Sequence, residues 1–271
     1  MSTDVYIVGL GTVNVDQVTR EASRAISASV EVLFLDDGIA TRAFLEERCG
    51  RVSDLSEHFV VGRSRIESHH HIAARVIDAA LTHMPVTLAI GGHPTHLAPA
   101  TFLVRDLAGL MGLNVEVLPG ISAMDQLLAE LMIDPASHGL QSFEATDLLL
   151  RRRPIASDVP LMIWQVGLVG THLHTQGPRR PEAFEPLTRH LLRFYPANHH
   201  VVAAEAASHA LLNPVHVAFP LAAMPAHAAL LTSRTTLYVP PIGTRPVVDA
   251  RTLAGLTSDD AQVAGVIEER E

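Results

Sequence analysis

Val5-Tyr-Ile-Val-Gly-Leu-Gly11, followed by the segment Thr19 to Ala28, is the stretch from which the fold can be read. Val5 to Val8 is a short apolar run of the kind that forms a buried strand. Gly9-Leu-Gly11 then breaks it, and Thr19–Ala28 carries helix-compatible residues. Strand, glycine turn and helix in that order open an α/β unit, and the pattern recurs. Val32 to Leu35, Val86 to Ile90 and Val115 to Leu118 are further short apolar runs, separated by helix-like segments around 40–48, 67–82 and 98–112. Such alternation predicts a mostly parallel sheet with helices on its faces. Pro119-Gly120 ends the pattern. Beyond it, Leu161 to Trp164, Val201 to Ala203, Val215 to Phe219 and Thr236 to Val239 suggest a second strand-rich lobe. The expected organisation is an N-terminal α/β lobe over 1–119, a C-terminal α/β lobe over 120–243 and an acidic tail over 244–271. Residues 174–186, with Gly177, Pro178, Pro181 and Pro186 among charges, read as a surface excursion.

Composition narrows the function. With 271 residues, 48% of them hydrophobic, the chain can bury one large core or two moderate ones. It has no apolar run long enough to span a bilayer and no basic n-region near Asp4, so a cytoplasmic protein without a membrane partner is expected. Cys49 is the single cysteine, which excludes an intrachain disulfide and a thiolate zinc site. A formal net charge of −9 argues against a nucleic-acid partner, because phosphate binding rests on Lys and Arg neutralising charge.

Four segments combine small, polar and apolar residues in ways that core packing does not require. Gly9 and Gly11 stand where open α/β sheets bind ligands, beyond a strand's C-terminal end. The third glycine of a dinucleotide fingerprint is absent, Asn14 taking its place, so the turn either lets a ligand approach or is only a turn. Gly91-Gly-His-Pro94 follows another strand end. Here His93 either faces a ligand or is a hydrogen-bonded turn residue, and His93 with His96 lacks a third ligand for a metal. In Pro119-Gly-Ile-Ser-Ala123, Ser122 and the backbone of Ala123 sit where a helix begins, which suits either an N-cap or a set of donors for an anionic or adenine group. Arg65 and His69 are spaced i, i+4 and share one helix face, as a solvated surface or as a pair acting on one substrate. Arg151-Arg-Arg153 ends a predicted helix, where cations suit the helix dipole.

Taken in order, Gly9 and Gly11, Gly92-His-Pro94, Pro119 to Ala123, Gln141-Ser-Phe-Glu-Ala-Thr146, Trp164-Gln-Val-Gly167 and Tyr238-Val-Pro-Pro241 resemble the tetrapyrrole methylase superfamily. Within it they resemble the borosin-type peptide backbone N-methyltransferases. The resemblance implies a two-lobed α/β methylase, each lobe a mostly parallel or mixed sheet flanked by helices, with S-adenosylmethionine in the interlobe cleft. The cofactor residues it implies are Gly9, Gly11, Gly91, His93, Ser122, Ala123, Gln165 and Thr236. It also implies a homodimer in which each subunit helps enclose the other's substrate. The family's catalytic arginine falls on Arg65, and His69 stands where the family has a tyrosine. Phe59 sits at a position that often carries a phenol in the family, and Gly91 replaces the aromatic residue before Gly-His-Pro.

An amide nitrogen is a poor nucleophile because its lone pair is delocalised, so methylating it requires loss of the N–H proton and stabilisation of charge on the carbonyl oxygen. Arg65 would supply fixed positive charge to that oxygen. His69, near its ordinary pKa of about 6.5, would take or relay the proton. The expected activity is S-adenosylmethionine-dependent N-methylation of the backbone amides of a separate precursor peptide, since residues 244–271 are charged and too short to carry both a clasp and an apolar core peptide. Methylation of a tetrapyrrole or another small molecule is an alternative, as is a cofactor-binding partner protein without catalysis.

Overall fold

The computed structural model describes residues 2–38, 40–175, 177–207 and 212–256. Among them, the N-terminal portion builds one five-stranded sheet. Its strands are β1 (Val5–Gly9), β2 (Glu31–Leu35), β3 (Val52–Asp54), β4 (Val86–Ile90) and β5 (Val115–Leu118). They lie in the order β3-β2-β4-β1-β5, every pair parallel. The connecting helices are α1 (Arg20–Ala28), α2 (Thr41–Glu46), α3 (Arg65–Thr82) and α4 (Pro99–Leu110).

Period-two alternation along the strands divides their side chains between two cores. Val5, Ile7, Leu33, Val86, Leu88 and Ile90 pack against α3 and α4. Val8, Val32, Phe34, Ala89 and Leu118 pack on the other face against Ala22, Ala25 and Ile26 of α1 and Leu45 of α2. The spacing Ala22, Ala25, Ile26 is the apolar stripe of an amphipathic helix, and Thr19 caps its start by accepting from the Ala22 N–H at 3.0 Å. Truncating a fully buried residue such as Leu88 to alanine should cost roughly 2–5 kcal/mol.

The second sheet follows the helices α5 (Ala123–Glu130) and α6 (Pro135–His138). It contains β6 (Gln141–Glu144), β7 (Leu161–Trp164), β8 (His200–Glu205), β9 (Val215–Pro220) and β10 (Thr236–Val239), with α7 (Ala145–Leu150) and α8 (Glu185–Leu191) between strands and α9 (Ala250–Leu256) after them. The order is β6-β7-β10-β8-β9; only β6 and β7 are parallel, which makes this sheet mixed. One face buries Leu161, Ile163, Val201 and Leu237 against Phe184, Leu187 and Leu191. The other packs Met162, Trp164 and Ala204 against Leu127 of α5.

The α/β architecture with two sheets flanked by helices agrees with the expectation from sequence. Two strands were not expected: β3 is only three residues long, and β6 reads Gln-Ser-Phe-Glu with no apolar run to announce it. The segment 174–186 is also more than a surface excursion. Pro181–Phe184 forms a 3-10 turn running into α8, and Phe184 is fully buried in the second core. Of the expected tail over 244–271, residues 257–271 lie outside the described residues.

Candidate functional site

Gly9, at the end of β1, meets Gly120 and Gly92 backbone to backbone. A Cβ on Gly9 would stand 2.5 Å from the Gly92 carbonyl oxygen and 2.7 Å from the Gly120 Cα, closer than any side chain permits. Gly9 and Gly120, each without a side chain, therefore let the ends of β1 and β5 converge on the Gly92 carbonyl that follows β4, and Gly9 itself does not line the cavity beyond them. Ser122 is likewise buried and outside the lining. It forms a reciprocal capping box at the start of α5, its hydroxyl accepting from the Asp125 N–H at 3.1 Å while its own N–H donates to Asp125 Oδ2 at 2.7 Å.

Past these strand ends a cavity of about 810 Å³ opens between the two sheets. That volume lies within the range of roughly 300–1,000 Å³ usual for small-molecule sites. Gly11, Gly91, His93, Ala123, Gln165 and Thr236 all line it. So do His96 and Trp164, quoted in the sequence without a cofactor role, and Asp36, Asp37, Glu205 and Arg234, which sequence reasoning missed. The acids follow β2 and end β8, so the signal that could have found them is position at a strand's C-terminal end and not any motif.

Gly91 shapes the floor of this cavity: a Cβ there would lie 2.4 Å from Asp36 Oδ1. Asp36 also accepts from the Gly38 N–H at 3.1 Å and from the Thr41 hydroxyl. Burial raises its pKa against the lowering effect of these hydrogen bonds, with the Asp37 charge adding to the rise. His96 Nε2 is buried without a partner among the described residues, and its ring meets Trp164 edge-on at 4.5 Å. Burial, then the His93 charge, lowers its pKa, so it is a neutral imidazole with a ring nitrogen free for a ligand. At the rim, Arg234 bridges Glu205 at 3.0 Å and Asp37 at 3.4 Å, joining the second sheet to the first.

Arg65 and His69 do not line this cavity. They face a second one of about 760 Å³, together with Ile66, Phe102, Leu150 and Glu144. The two spaces share a wall. Gln165, held in a left-handed conformation (φ 54°) just after β7, lines the first cavity and accepts from Arg65 Nη1 at 3.3 Å. Phe59 lines the first and packs edge-on against His69 of the second, with ring centroids 5.6 Å apart. The start of α3 is pinned across the lobes: the Arg65 N–H donates to the His172 carbonyl at 2.9 Å, and Arg65 Nη2 to the Thr171 carbonyl at 2.7 Å.

Three buried polar atoms in the second cavity lack partners among the described residues: Arg65 Nε, His69 Nδ1 and Glu144 Oε1. Burial, then His174, Arg65 and His70, lower the pKa of His69 to about 4. This corrects the ordinary histidine pKa assumed from sequence. His69 is neutral near pH 7, and its imidazolium is strongly disfavoured.

The profile of the tetrapyrrole (corrin/porphyrin) methylases matches residues 4–211. Similar curated proteins include the methyltransferase/ribosomally synthesized cyclic peptide omphalotin A precursor of Omphalotus olearius, 30% identical over 237 residues, which are 87% of this chain and 57% of that protein. Another is a methyltransferase/type I borosin cyclic peptide precursor of Gymnopilus junonius, 33% identical over 165 residues, 60% of this chain and 39% of that one. The chain thus spans 57% and 39% of the length of these two relatives. Among solved structures, the methyltransferase CobJ matches with a TM-score of 0.64 at 19% identity, covering 91% of this chain and 97% of its own. Uroporphyrin-III C-methyltransferase from Thermus thermophilus, complexed with S-adenosylhomocysteine, matches with a TM-score of 0.59 at 20% identity, covering 87% and 91%. The convergent strand ends, the cleft between two sheets and the profile match over most of the sequence agree, and the chain belongs to the tetrapyrrole (corrin/porphyrin) methylase family of methyltransferases.

Proposed function

We propose that this chain is an S-adenosylmethionine-dependent N-methyltransferase acting on backbone amides of a separate precursor peptide, with the first cavity for the cofactor and the second for the acceptor. The observation that carries the reading is the shared wall, where Gln165 in one cavity is hydrogen-bonded to Arg65 in the other.

The residues of the first cavity fit the cofactor. Asp36, Asp37 and Glu205 suit an ammonium and ribose hydroxyls, and His96 Nε2 is a buried polar atom awaiting a partner. Gly11, Gly91, His93, Ala123, Gln165 and Thr236 complete the lining, while Gly9 and Ser122 act by setting the strand and helix ends. When bound, S-adenosylmethionine supplies an electrophilic methyl group.

Arg65 and His69 serve the transfer from the other side. Arg65 offers its unpartnered Nε–H to an amide oxygen, stabilising the charge that grows there as the N–H proton leaves. His69, kept neutral, flanks the amide and offers its Nδ1–H to a neighbouring carbonyl of the peptide, the tautomer being assigned from that role. Ile66, Phe102 and Leu150, exposed by 61%, 41% and 80%, give apolar side chains on either side of the amide a surface to cover. A tetrapyrrole bearing several carboxylates would instead meet Glu144 and Asp147 in this cavity.

By analogy with the borosin relatives, whose names join a methyltransferase to a peptide precursor, the acceptor is a peptide. A homodimer enclosing the substrate and a cytoplasmic location belong to the same proposal. Trp164, the single tryptophan, lines the cofactor cavity, so its fluorescence should change on titration with S-adenosylhomocysteine. Incubation with labelled S-adenosylmethionine and peptides rich in Val, Ile and Ala should then yield backbone N-methylation by mass spectrometry. Cofactor binding with methylation of tetrapyrroles and no peptide would replace the acceptor, and absence of binding would remove the whole reading.

A further inference from the structure

Glu144 is the last residue of β6 and the N-cap of α7. Its two carboxylate oxygens are not equivalent. Oε2 accepts from the Asp147 N–H at 2.7 Å and is held by the helix start. Oε1 is buried and has no partner among the described residues, and Glu144 lines the cavity that also holds Arg65 and His69. A buried carboxylate oxygen left unpaired is costly, so its retention at a cavity wall points to a donor that arrives with the ligand.

The matching group stands in the same cavity. Arg65 Nε–H is a buried donor without an acceptor. Its charge and that of Glu144 attract, the carboxylate opposing the loss of positive charge that burial favours, yet no ion pair within 4.0 Å joins them. One unpaired donor and one unpaired acceptor, kept apart in one apolar-rimmed space, are complementary to a secondary amide, which brings one acceptor oxygen and one donor N–H.

Resting on the peptide reading above, we infer that Glu144 is a catalytic residue: its Oε1 accepts the amide N–H and receives the proton when the nitrogen is methylated. The N–H bond breaks toward Oε1 as the N–CH3 bond forms and the methyl–sulfur bond of the donor breaks. The nitrogen gains a methyl, the sulfonium becomes a neutral thioether, and the carboxylate becomes a carboxylic acid that returns its proton to solvent. A carboxylate suits this step better than His69, because taking up the proton neutralises a charge here, whereas it would create an imidazolium, a second positive charge, beside Arg65.

Glu144→Gln separates this role from the cap. Gln can keep its carbonyl oxygen on the Asp147 N–H, which places an NH2 donor where Oε1 stood, opposite the amide donor. Calorimetry should show unchanged S-adenosylhomocysteine affinity, while single-turnover methylation of an acetylated, amidated Val/Ile/Ala peptide falls by roughly 10²–10⁴-fold, the usual range for a lost general base. The same peptide with its methylated amide replaced by an ester, which lacks the N–H, should gain on the amide in binding to Glu144→Gln relative to wild type. Glu144→Asp, which retains the carboxylate, should recover part of the rate. Methylation by Glu144→Gln within a few-fold of wild type overturns the inference alone. Loss of cofactor binding in both variants also overturns it, by making Glu144 structural. A wild-type protein that binds the cofactor but methylates no peptide defeats the peptide reading and takes this inference with it.

Discussion

The two cavities that meet at Gln165 and Phe59 are built by different means. The first is made largely of backbone: strand ends and the turns after them place Gly11, Gly91, Ala123 and Thr236 around a polar, acid-lined space. The second is made of side chains contributed by α3, α4, α7 and the segment 170–172, apolar at its rim and carrying unpaired polar atoms inside. Turns at strand ends can stay constant while their ligand stays constant. A wall of helix side chains can be recut residue by residue for a new acceptor, and it is here that His69 stands where the resemblance read from sequence leads one to expect a tyrosine.

If that contrast holds, variants on the two sides should separate cleanly. The larger of two effects is expected on the acceptor side. Arg65→Lys keeps the charge but loses the planar guanidinium that binds Gln165 and the Thr171 carbonyl together and, in the proposed function, the amide oxygen. Single-turnover methylation should fall by roughly 100- to 1,000-fold, the usual loss for one transition-state donor. S-adenosylhomocysteine affinity should stay within a few-fold of wild type. Equal losses in rate and in cofactor affinity would mean that the wall does not divide two functions.

Gly91→Ala tests the backbone-built side. The added Cβ would press on Asp36 Oδ1 from 2.4 Å, so the carboxylate must move. Overpacking of this kind typically costs 1–3 kcal/mol, and if the cost appears in the bound state the cofactor should bind on the order of tenfold or more weakly. The methyl-transfer rate at saturating cofactor should change far less. A fall in that rate with unaltered affinity would assign Asp36 to the acceptor instead.

The same contrast explains what the sequence disclosed. Apolar runs bounded by glycines located β1, β4 and β5, and Ser122 could be read as a helix N-cap, because in each case the cause is local. β6 has no such signature. Its residues Gln141 to Glu144 form a strand because Leu161–Trp164 lies alongside them in parallel register. Glu144 was quoted in a motif but given no role, since its unpaired oxygen exists only once α7 has taken the other one. Asp36 and Arg234 were missed for a similar reason: they come together only when the sheets do. The pKa of His69 was misjudged because its burial and its neighbour His174 come from distant chain segments.

A smaller effect is expected at the rim. Arg234 joins Asp37 across the mouth of the first cavity, but Asp37 is 87% exposed at its side chain, and exposed ion pairs are worth little. Arg234→Ala should weaken S-adenosylhomocysteine binding by no more than about fivefold, corresponding to the roughly 0.2–1 kcal/mol of such pairs. The loss should shrink as salt is added, because screening already weakens the wild-type contact. A loss of a hundredfold or more would show that Arg234 holds the cofactor directly and not only the rim.

The smallest expected effect is an absent one, and it bears on the dryness of the second cavity. An exposed histidine at position 69 would be half protonated near pH 6.5, and its charging as the pH falls would put an acid limb there in the methylation profile. Burial first, then His174, Arg65 and His70, move that titration down to about pH 4. The sign follows: a lowered pKa leaves His69 neutral throughout the upper range, and its protonation begins only as the pH approaches 4. Between pH 5.5 and 8, then, any inflection in single-turnover rate should survive His69→Gln unchanged. An acid limb centred near 6.5 that disappears in His69→Gln would show water reaching the imidazole, and the second cavity would then be as wet as the first and its unpaired polar atoms no longer short of partners.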